Sequence, residues 1–387
     1  MTRLDADWLR DDATQQALGL LTGAGHQAFV VGGCVRNALL GVPVNDVDIA
    51  TSAPPETVIE LADAAGIRSV PTGVDHGTVT LVIDGQGFEI TTFRRDVETD
   101  GRRAVVSFSA TLEDDAARRD FTMNALYADA DGTVTDPVNG LPDLRERHVR
   151  FVGHAEDRIR EDYLRSLRFF RFHAQYGDPE RGLDADALAA IAGNLDGLGQ
   201  LAAERVWSEL RKLLSAADPA PALAAMETSG VLGRLLPGAS SRFVGPLVYL
   251  EGEGGIPPEA IRRLAALGGA GAELRLSRQD ARRLDTLRSA VEEGTGPAEL
   301  AWREGAEIAW DAALLRAAMS EAPLAPETGR VIARGMQAQF PLTAADLMPD
   351  LSGAALGRAL KAAERAWIDS DFSLDRQSLE GVARKAG

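Results

Sequence analysis

Cysteine occurs once in 387 residues, at Cys34, which excludes an internal disulfide and a cysteine-built zinc cluster. With no second cysteine or nearby histidine, Cys34 reads as a small packed residue. Histidine is nearly as sparse. His26, His76, His148, His154 and His173 are scattered without metal-ligand spacing and read as turn or surface residues. No stretch approaches the ~18 uninterrupted apolar residues of a membrane span, and the acidic N-terminal segment MTRLDADWLRDDATQQ has no signal-peptide core. The expectation is a soluble, cytoplasmic protein with no membrane partner. Positive charge is also in deficit, with 41 Lys and Arg against 58 Asp and Glu and a net charge of −17, which counts against a polyanionic partner. The local distribution is different. Between Arg145 and Arg171 there are eight arginines against five carboxylates, with Arg94, Arg95, Arg102, Arg103, Arg118 and Arg119 just upstream. Any single one of these also fits pairing on a solvated helix face.

The chain is 45% hydrophobic and long enough for several modest domains. Its first ~150 residues read as α/β by pattern, with strands expected at Ala28–Val31, Thr78–Ile83 and Phe88–Phe93 between Gly-rich turns. After Phe151 the pattern is helical, punctuated by Pro179, Pro219, Pro237, Pro257, Pro258 and Pro297. No repeat or low-complexity tract stands out.

In FVVGGCVRNALLG (Phe29 to Gly41) an apolar strand runs into Gly32 and Gly33, a short helix and a closing glycine. Without side chains at the helix start, backbone N–H groups can approach a triphosphate, with Arg36 adding charge; a simple tight turn would look the same. The next segment, NDVDI, places Asp46 and Asp48 two residues apart in a strand-like run, hence on one face, with Val47 and Ile49 toward the core. Two carboxylates so close repel unless a cation lies between them, which suits Mg²⁺. A solvated turn with incidental acids is the alternative. In GFEITTF the only acid is Glu89, assigned as the third carboxylate of a two-metal phosphoryl-transfer site, against an outward-facing acid on a half-exposed strand.

Together these residues resemble the head of the class II tRNA nucleotidyltransferase and bacterial poly(A) polymerase family, within the DNA polymerase β superfamily. RRDFTMNA (Arg118 to Ala125) is similar to the family's RRDFTxNA segment and implies that Arg119, Asp120 and Asn124 bind the incoming nucleotide's ribose and phosphates. DPVNGLPDL (Asp136 to Leu144) resembles its hinge. EDYLR (Glu161 to Arg165), continuing to Arg168 and Arg171, resembles the base-selecting neck helix, and ERVWSEL (Glu204 to Leu210) the element that braces it. The resemblance covers roughly residues 28 to 215, with a looser likeness over Leu342 to Phe372. It implies an α+β fold: a small mixed or antiparallel-sheet head over 1–150, then an elongated all-α part with a base-selecting neck (151–215), a body (216–325) and a tRNA-binding tail (326–387). Asn37 departs from the aspartate that many members carry and removes a charge beside the triphosphate. The turn from Asp96 to Arg103 corresponds to a loop that helps the family switch from C to A addition, and is expected to be mobile.

The implied chemistry is Mg²⁺-dependent attack of an RNA 3′-hydroxyl on the α-phosphate of CTP or ATP, with Gly33, Arg36 and Arg119 neutralising the triphosphate and no covalent enzyme intermediate. The expected partners are tRNA, whose 3′-terminal CCA is built or repaired, and the two nucleotides; DNA is not expected. Asp162 and Arg165, three apart and so on one helical face, form a donor fork and an acceptor that match cytosine and adenine. Guanine and uracil would leave buried groups unpaired at ~1–3 kcal/mol each. A surface salt bridge is the plain alternative for this pair. Three other functions stay open: a poly(A) polymerase, against which stand the segment Pro71 to Val79 and the lack of a long basic tail; an enzyme adding only CC or only A; and a catalytically silent RNA-binding protein, which intact metal ligands argue against.

Overall fold

The computed structural model describes residues 2–100, 103–108, 111–269 and 274–387. It divides into two compact units, the first running to Ala239 and the second comprising Ser240–Gly269 and Arg275–Gly387.

The first unit is built on a mixed seven-stranded sheet of order β3-β4-β5-β2-β1-β8-β9. The strands are β1 (Ala28–Val31), β2 (Asp48–Thr51), β3 (Arg68–Gly73), β4 (Thr78–Ile83), β5 (Gln86–Thr92), β8 (Tyr127–Ala128) and β9 (Val134–Thr135); β6 (Arg94–Asp100) and β7 (Arg103–Phe108) form a separate antiparallel ribbon. The expected α+β class and mixed sheet are present. Along β4, Val79, Leu81 and Ile83 are buried while the residues between them are half-exposed, the period-2 pattern of a sheet with one covered face. Asp84 and Gly85, both at positive φ, close the β4–β5 hairpin between Ile83 and Gln86, as the Asp-Gly pair favours. Helices Asp12–Gly23 and Pro55–Ala64 cover one face with Ala17, Leu18, Leu21, Val58 and Ala62. On the other face Val31, Ala50, Phe93, Leu112, Ala116, Ala125, Tyr127 and Val152 form a second buried cluster.

Of the segment Asp96 to Arg103, expected to be a mobile turn, the described residues belong to the β6–β7 ribbon, with a register shift between Asp96 and Glu98; Gly101 and Arg102 lie outside the described residues. Beyond residue 150, helix Leu164–Tyr176 packs against Ala203–Leu214 and Ala220–Thr228, and its Phe169 and Phe172 join Phe121 and Phe151 in an aromatic cluster with ring centroids 4.9–6.4 Å apart. Phe121 directly follows Asp120, so this cluster seats the helix against the segment Arg118 to Ala125. In the segment Asp136 to Leu144 the Asp136 carboxylate accepts the Gly140 and Leu141 N–H groups at 2.7 and 2.9 Å.

Gly140 admits no side chain, because a Cβ there would lie 2.2 Å from the Thr122 carbonyl oxygen. Gly140→Ala is therefore expected to cost about 1–3 kcal/mol and to push the turn Thr122–Asn124 away from helix Gly140–Arg145. A melting temperature several degrees below wild type checks this.

The second unit is helical. Arg262, buried, bridges Glu251 at 2.6 Å and Asp311 at 2.7 Å, and the fully buried Arg263 joins Glu251 at 2.6 Å. Nearer the C-terminus, helices Gly353–Asp369 and Arg376–Ala386 enclose Trp367, Ala359, Ala363, Leu379 and Ala383. Pro297, expected to break a helix, opens one, Pro297–Glu304, where its missing N–H costs nothing. No helix among the described residues is long and apolar enough to cross a membrane.

Candidate active site

The site forms on the sheet face opposite helices Asp12–Gly23 and Pro55–Ala64. In the parallel pair β2–β5, Asp48 stands directly opposite Glu89. Val47, Ile49, Phe88 and Ile90 are buried, so the alternation of each strand turns the intervening carboxylates the other way. Asp46 lies just before the strand, which begins at Asp48. Burial, then Glu89 and Asp46, raise the Asp48 carboxyl above the ordinary carboxylate range against the opposing pull of Arg119. Asp48 thus lies within the field of the other two carboxylates.

Among the described residues no three Asp, Glu, His or Cys side chains are grouped closely enough to cage a metal ion. The donor set fits an ion that takes one or two carboxylates and completes its shell with water and substrate phosphate, the habit of Mg²⁺.

Gly32 has φ 72° and ψ −117°, a conformation closed to other residues, and a Cβ there would lie 3.2 Å from Arg119 Nη1. This brings the start of helix Gly33–Leu40 beside Arg119. Arg119 donates to Asp115 at 2.9 and 3.2 Å, to the Tyr127 hydroxyl at 2.9 Å and, at 3.4 Å, to the Asn124 carbonyl. Asp115 also takes two bonds from Arg118, at 3.0 and 2.8 Å, and the Tyr127 hydroxyl at 2.8 Å. Burial pushes the Asp115 carboxyl up, but Arg119, Arg118 and the Tyr127 hydroxyl outweigh it and hold the group below its ordinary value.

A second chain of contacts runs beside the first. Asp120 accepts Asn124 Nδ2 and the Phe121 N–H at 2.8 Å each, and is paired with Arg168 at 2.6 Å. Asn124 Oδ1 accepts from Arg36 Nη1. Arg36 also donates to Asn37 Oδ1 at 2.8 and 3.1 Å and to the Tyr176 hydroxyl at 2.9 Å. Asn37, read from the sequence only as a lost charge, therefore orients Arg36, while its Nδ2 ties down the Pro43 carbonyl at 2.9 Å. Cys34 is buried, its thiol pushed up to about 11 by burial, in keeping with a packing residue.

The structure corrects the expected Asp162–Arg165 geometry. Helix Ala155–Glu161 ends before Asp162, which is extended (φ −153°, ψ 106°), and the next helix begins at Leu164. The two residues therefore do not share a helical face. Asp162 accepts the Leu164 N–H at 3.1 Å and pairs with Arg205 at 2.7 Å. Arg165 pairs with Glu161 and donates to the carbonyls of Arg158 and Arg118, both at 3.1 Å, so it still reaches the segment that carries Arg119. Arg171, grouped from the sequence with the nucleotide-binding residues, has its donors on the buried Glu209 and on Gln175. Through Glu209 it ties its helix to Ala203–Leu214.

Sequence reasoning missed Asp115, Tyr127 and Tyr176. Asp115 had a signal, since it precedes Arg118 and Arg119 by three and four residues; the tyrosines had none.

The same segments match known proteins. Residues 28–150 match the poly(A) polymerase head domain, and residues 182–243 the probable RNA- and SrmB-binding site of polymerase A. Over these segments the chain resembles the tRNA nucleotidyltransferase and poly(A) polymerase family. It is similar to human mitochondrial CCA tRNA nucleotidyltransferase 1, with 47% identity over 190 residues, 49% of this chain and 44% of that protein. It is also similar to the CCA-adding enzyme of Geobacillus stearothermophilus, with 41% identity over 233 residues, 59% and 56% of the two chains. The chain thus spans about half the length of these family relatives. A crystal structure described as the Bacillus stearothermophilus CCA-adding enzyme in complex with CTP superposes with a TM-score of 0.69 at 29% identity over 96% of both chains. The Thermotoga maritima CCA-adding enzyme complexed with tRNA shares the fold at 18% identity and a TM-score of 0.69.

Proposed function

We propose that this chain is a template-independent nucleotidyltransferase that adds or repairs the 3′-terminal CCA of tRNA from CTP and ATP. The observation that carries this reading is Asp48 standing opposite Glu89 in the parallel strand pair, within the field of Arg119. Its relatives and its structural neighbour bear the names of CCA-adding enzymes.

Asp46 and Asp48 would hold Mg²⁺, with Glu89 completing the carboxylate set. The ion, when bound, neutralises charge on the attacked phosphate and favours ionisation of the attacking hydroxyl. Gly32 and Gly33 let the triphosphate approach the backbone at the helix start, and Arg119, kept charged by Tyr127 and Asp115 despite its burial, offsets the triphosphate's charge. Asp120 and Asn124 receive the ribose and phosphates. The 3′-oxygen bonds to the α-phosphorus, the bond to pyrophosphate breaks, and the hydroxyl proton leaves toward Asp48 and Glu89. Catalysis then rests on placement and fixed charge. The single buried cysteine suits work in the cytoplasm.

We assign base choice to Asp162 and Arg165, as acceptor and donor for cytosine and adenine. Their bonds to Arg205 and Glu161 must then give way to the base, and Arg168 supports the reading helix through Asp120. We place tRNA contacts on the helical region beyond residue 326.

The test offers tRNAs ending before, within and after CCA, with Mg²⁺ and each nucleotide separately, and sequences the products. Addition of C, C and A in order supports the proposal; long A tracts on generic RNA with no tRNA extension identify a poly(A) polymerase instead. Asp162→Asn keeps an oxygen for the Leu164 N–H but changes the acceptor set. It is expected to admit U or G at least tenfold more readily, as about 1–3 kcal/mol of mispairing cost is lost. Unchanged selection in this variant removes the base-reading role.

A further inference from the structure

Arg36 is a buried cation that no carboxylate touches among the described residues; Asp120 acts on it only at a distance, beyond Asn124. Arg36 is 6% exposed, and among the described residues its hydrogen-bond partners are Asn37, Asn124 and Tyr176, all neutral. Its guanidinium lies 4.1 Å from the ring centre of Tyr176 and 5.1 Å from that of Phe172. Burial pulls its pKa down and outweighs the support of Tyr176 and Asp120, so the fold carries a cost for keeping this charge with no carboxylate bonded to it. A guanidinium has five N–H hydrogens. The bonds to Asn37, Asn124 and Tyr176 use four of them, leaving one on Nη1. A buried, oriented guanidinium with no directly paired carboxylate and a spare donor is a binding element for an anion.

What holds it in place comes from the other end of the site. Helix Leu164–Tyr176 reaches the nucleotide-binding segment at two points. Arg168 grips Asp120 at 2.6 Å, and eight residues later the Tyr176 hydroxyl takes Arg36 Nη2 at 2.9 Å with its ring stacked on the guanidinium. Asn124 closes the circuit, donating to Asp120 and accepting from Arg36. The ring Arg36, Asn124, Asp120, Arg168, helix, Tyr176 therefore fixes the charge of helix Gly33–Leu40 relative to the helix that carries Arg165.

We propose that Tyr176 is a positioning residue: it clamps Arg36, a cation with a spare donor, for the triphosphate of the incoming nucleotide, and so sets nucleotide affinity without taking part in base choice. This rests on the nucleotidyltransferase reading above. Because Tyr176 touches neither carboxylates nor the expected base, its loss acts on binding, equally for both nucleotides.

The decisive experiment titrates CTP and, separately, ATP into the full-length wild type, Tyr176→Phe and Tyr176→Ala without RNA, alongside melting curves. Tyr176→Phe keeps the ring and removes the acceptor, and is expected to raise both dissociation constants about three- to tenfold. Tyr176→Ala also removes the stacked ring and is expected to raise them about thirtyfold. In tRNA extension the effect falls on KM more than kcat, with the ratio of C to A use unchanged. Wild-type affinity in the folded Tyr176→Phe variant, or a change confined to one nucleotide, overturns the proposal; should Tyr176→Ala fail to fold, Tyr176→Phe alone decides. A wild type that binds both nucleotides but extends no RNA overturns the proposed function and leaves this inference to be judged on affinities. One that binds neither overturns both.

Discussion

Asp48→Asn is expected to abolish nucleotide transfer, with a loss of about a thousandfold or more, while leaving the first unit folded. The size follows from what the carboxylate does in the proposed site: loss of a metal-held charge in phosphoryl transfer forfeits several kcal/mol of transition-state stabilisation, and about 4 kcal/mol is a thousandfold. The fold survives because Asp48 is only half-buried and its neighbours Ile49 and Ala50, not its carboxylate, fill the core. Stability should move the opposite way to activity. Burial, Glu89 and Asp46 raise the Asp48 pKa in the folded chain, so the protonated form favours folding: that contribution is present below the unfolded value of about 3.9 and is lost as pH rises through the folded value. At neutral pH the ionised group therefore strains the apo fold. The neutral amide relieves it, giving a melting temperature in EDTA at or above wild type. Mg²⁺ is expected to raise the wild-type melting temperature and to have little effect on Asp48→Asn. Melting curves with and without Mg²⁺, alongside single-turnover transfer, test both halves; a variant that retains transfer within tenfold excludes Asp48 as a metal ligand.

Asp115→Asn should produce the largest loss of stability. The Asp115 carboxylate is 1% exposed and accepts from Arg118, Arg119 and the Tyr127 hydroxyl. The amide removes the only carboxylate paired with these two arginines among the described residues and turns an NH₂ donor toward them. Breaking a buried pair from one side costs about 3–5 kcal/mol, or roughly 6–20 °C in the melting temperature of a unit this size. Nucleotide affinity should fall as well, since Arg119 loses the partner that aims it. Acid does the same thing reversibly. The folded pKa values of Asp115 and Asp120 are both depressed, burial being outweighed by Arg119 and Arg118 in the first case and by Arg168, Asn124 and the Phe121 N–H in the second. The stability they give is complete above the unfolded value of about 3.9 and disappears as pH falls through the folded values. Thermal melting from pH 6 down to pH 2 should therefore show a loss beginning below about pH 4 that is shallower in Asp115→Asn. A variant melting within 2 °C of wild type at pH 7 contradicts this account.

Much of the head was legible from residue order. Strands β1 and β4 fall where alternation placed them, and the period-2 rule alone turned Asp46 and Asp48 away from Val47 and Ile49. These are local facts, settled by backbone geometry within a few residues. The glycines at 32 and 33 were legible for the same reason, because φ near 70° at Gly32 leaves no choice of residue.

What lay beyond the sequence was the choice among competing partners. Asp162 and Arg165 have the spacing of a helical pair, yet the chain leaves the helix at Asp162 and Arg205, 43 positions away, takes its carboxylate. Arg171 finds Glu209 and Arg36 finds Tyr176, 140 positions away. In the second unit the adjacent Arg262 and Arg263 are both buried on Glu251, and Arg262 also takes Asp311. An arginine presents the same fork to any acceptor within reach, and its stem spans several residues in any direction. The sequence by itself determined the strand faces, the glycine turn and the family to which they point. Only the tertiary structure decided which carboxylate, amide or hydroxyl each guanidinium received, because that depends on which segments the folded cores bring within 3 Å.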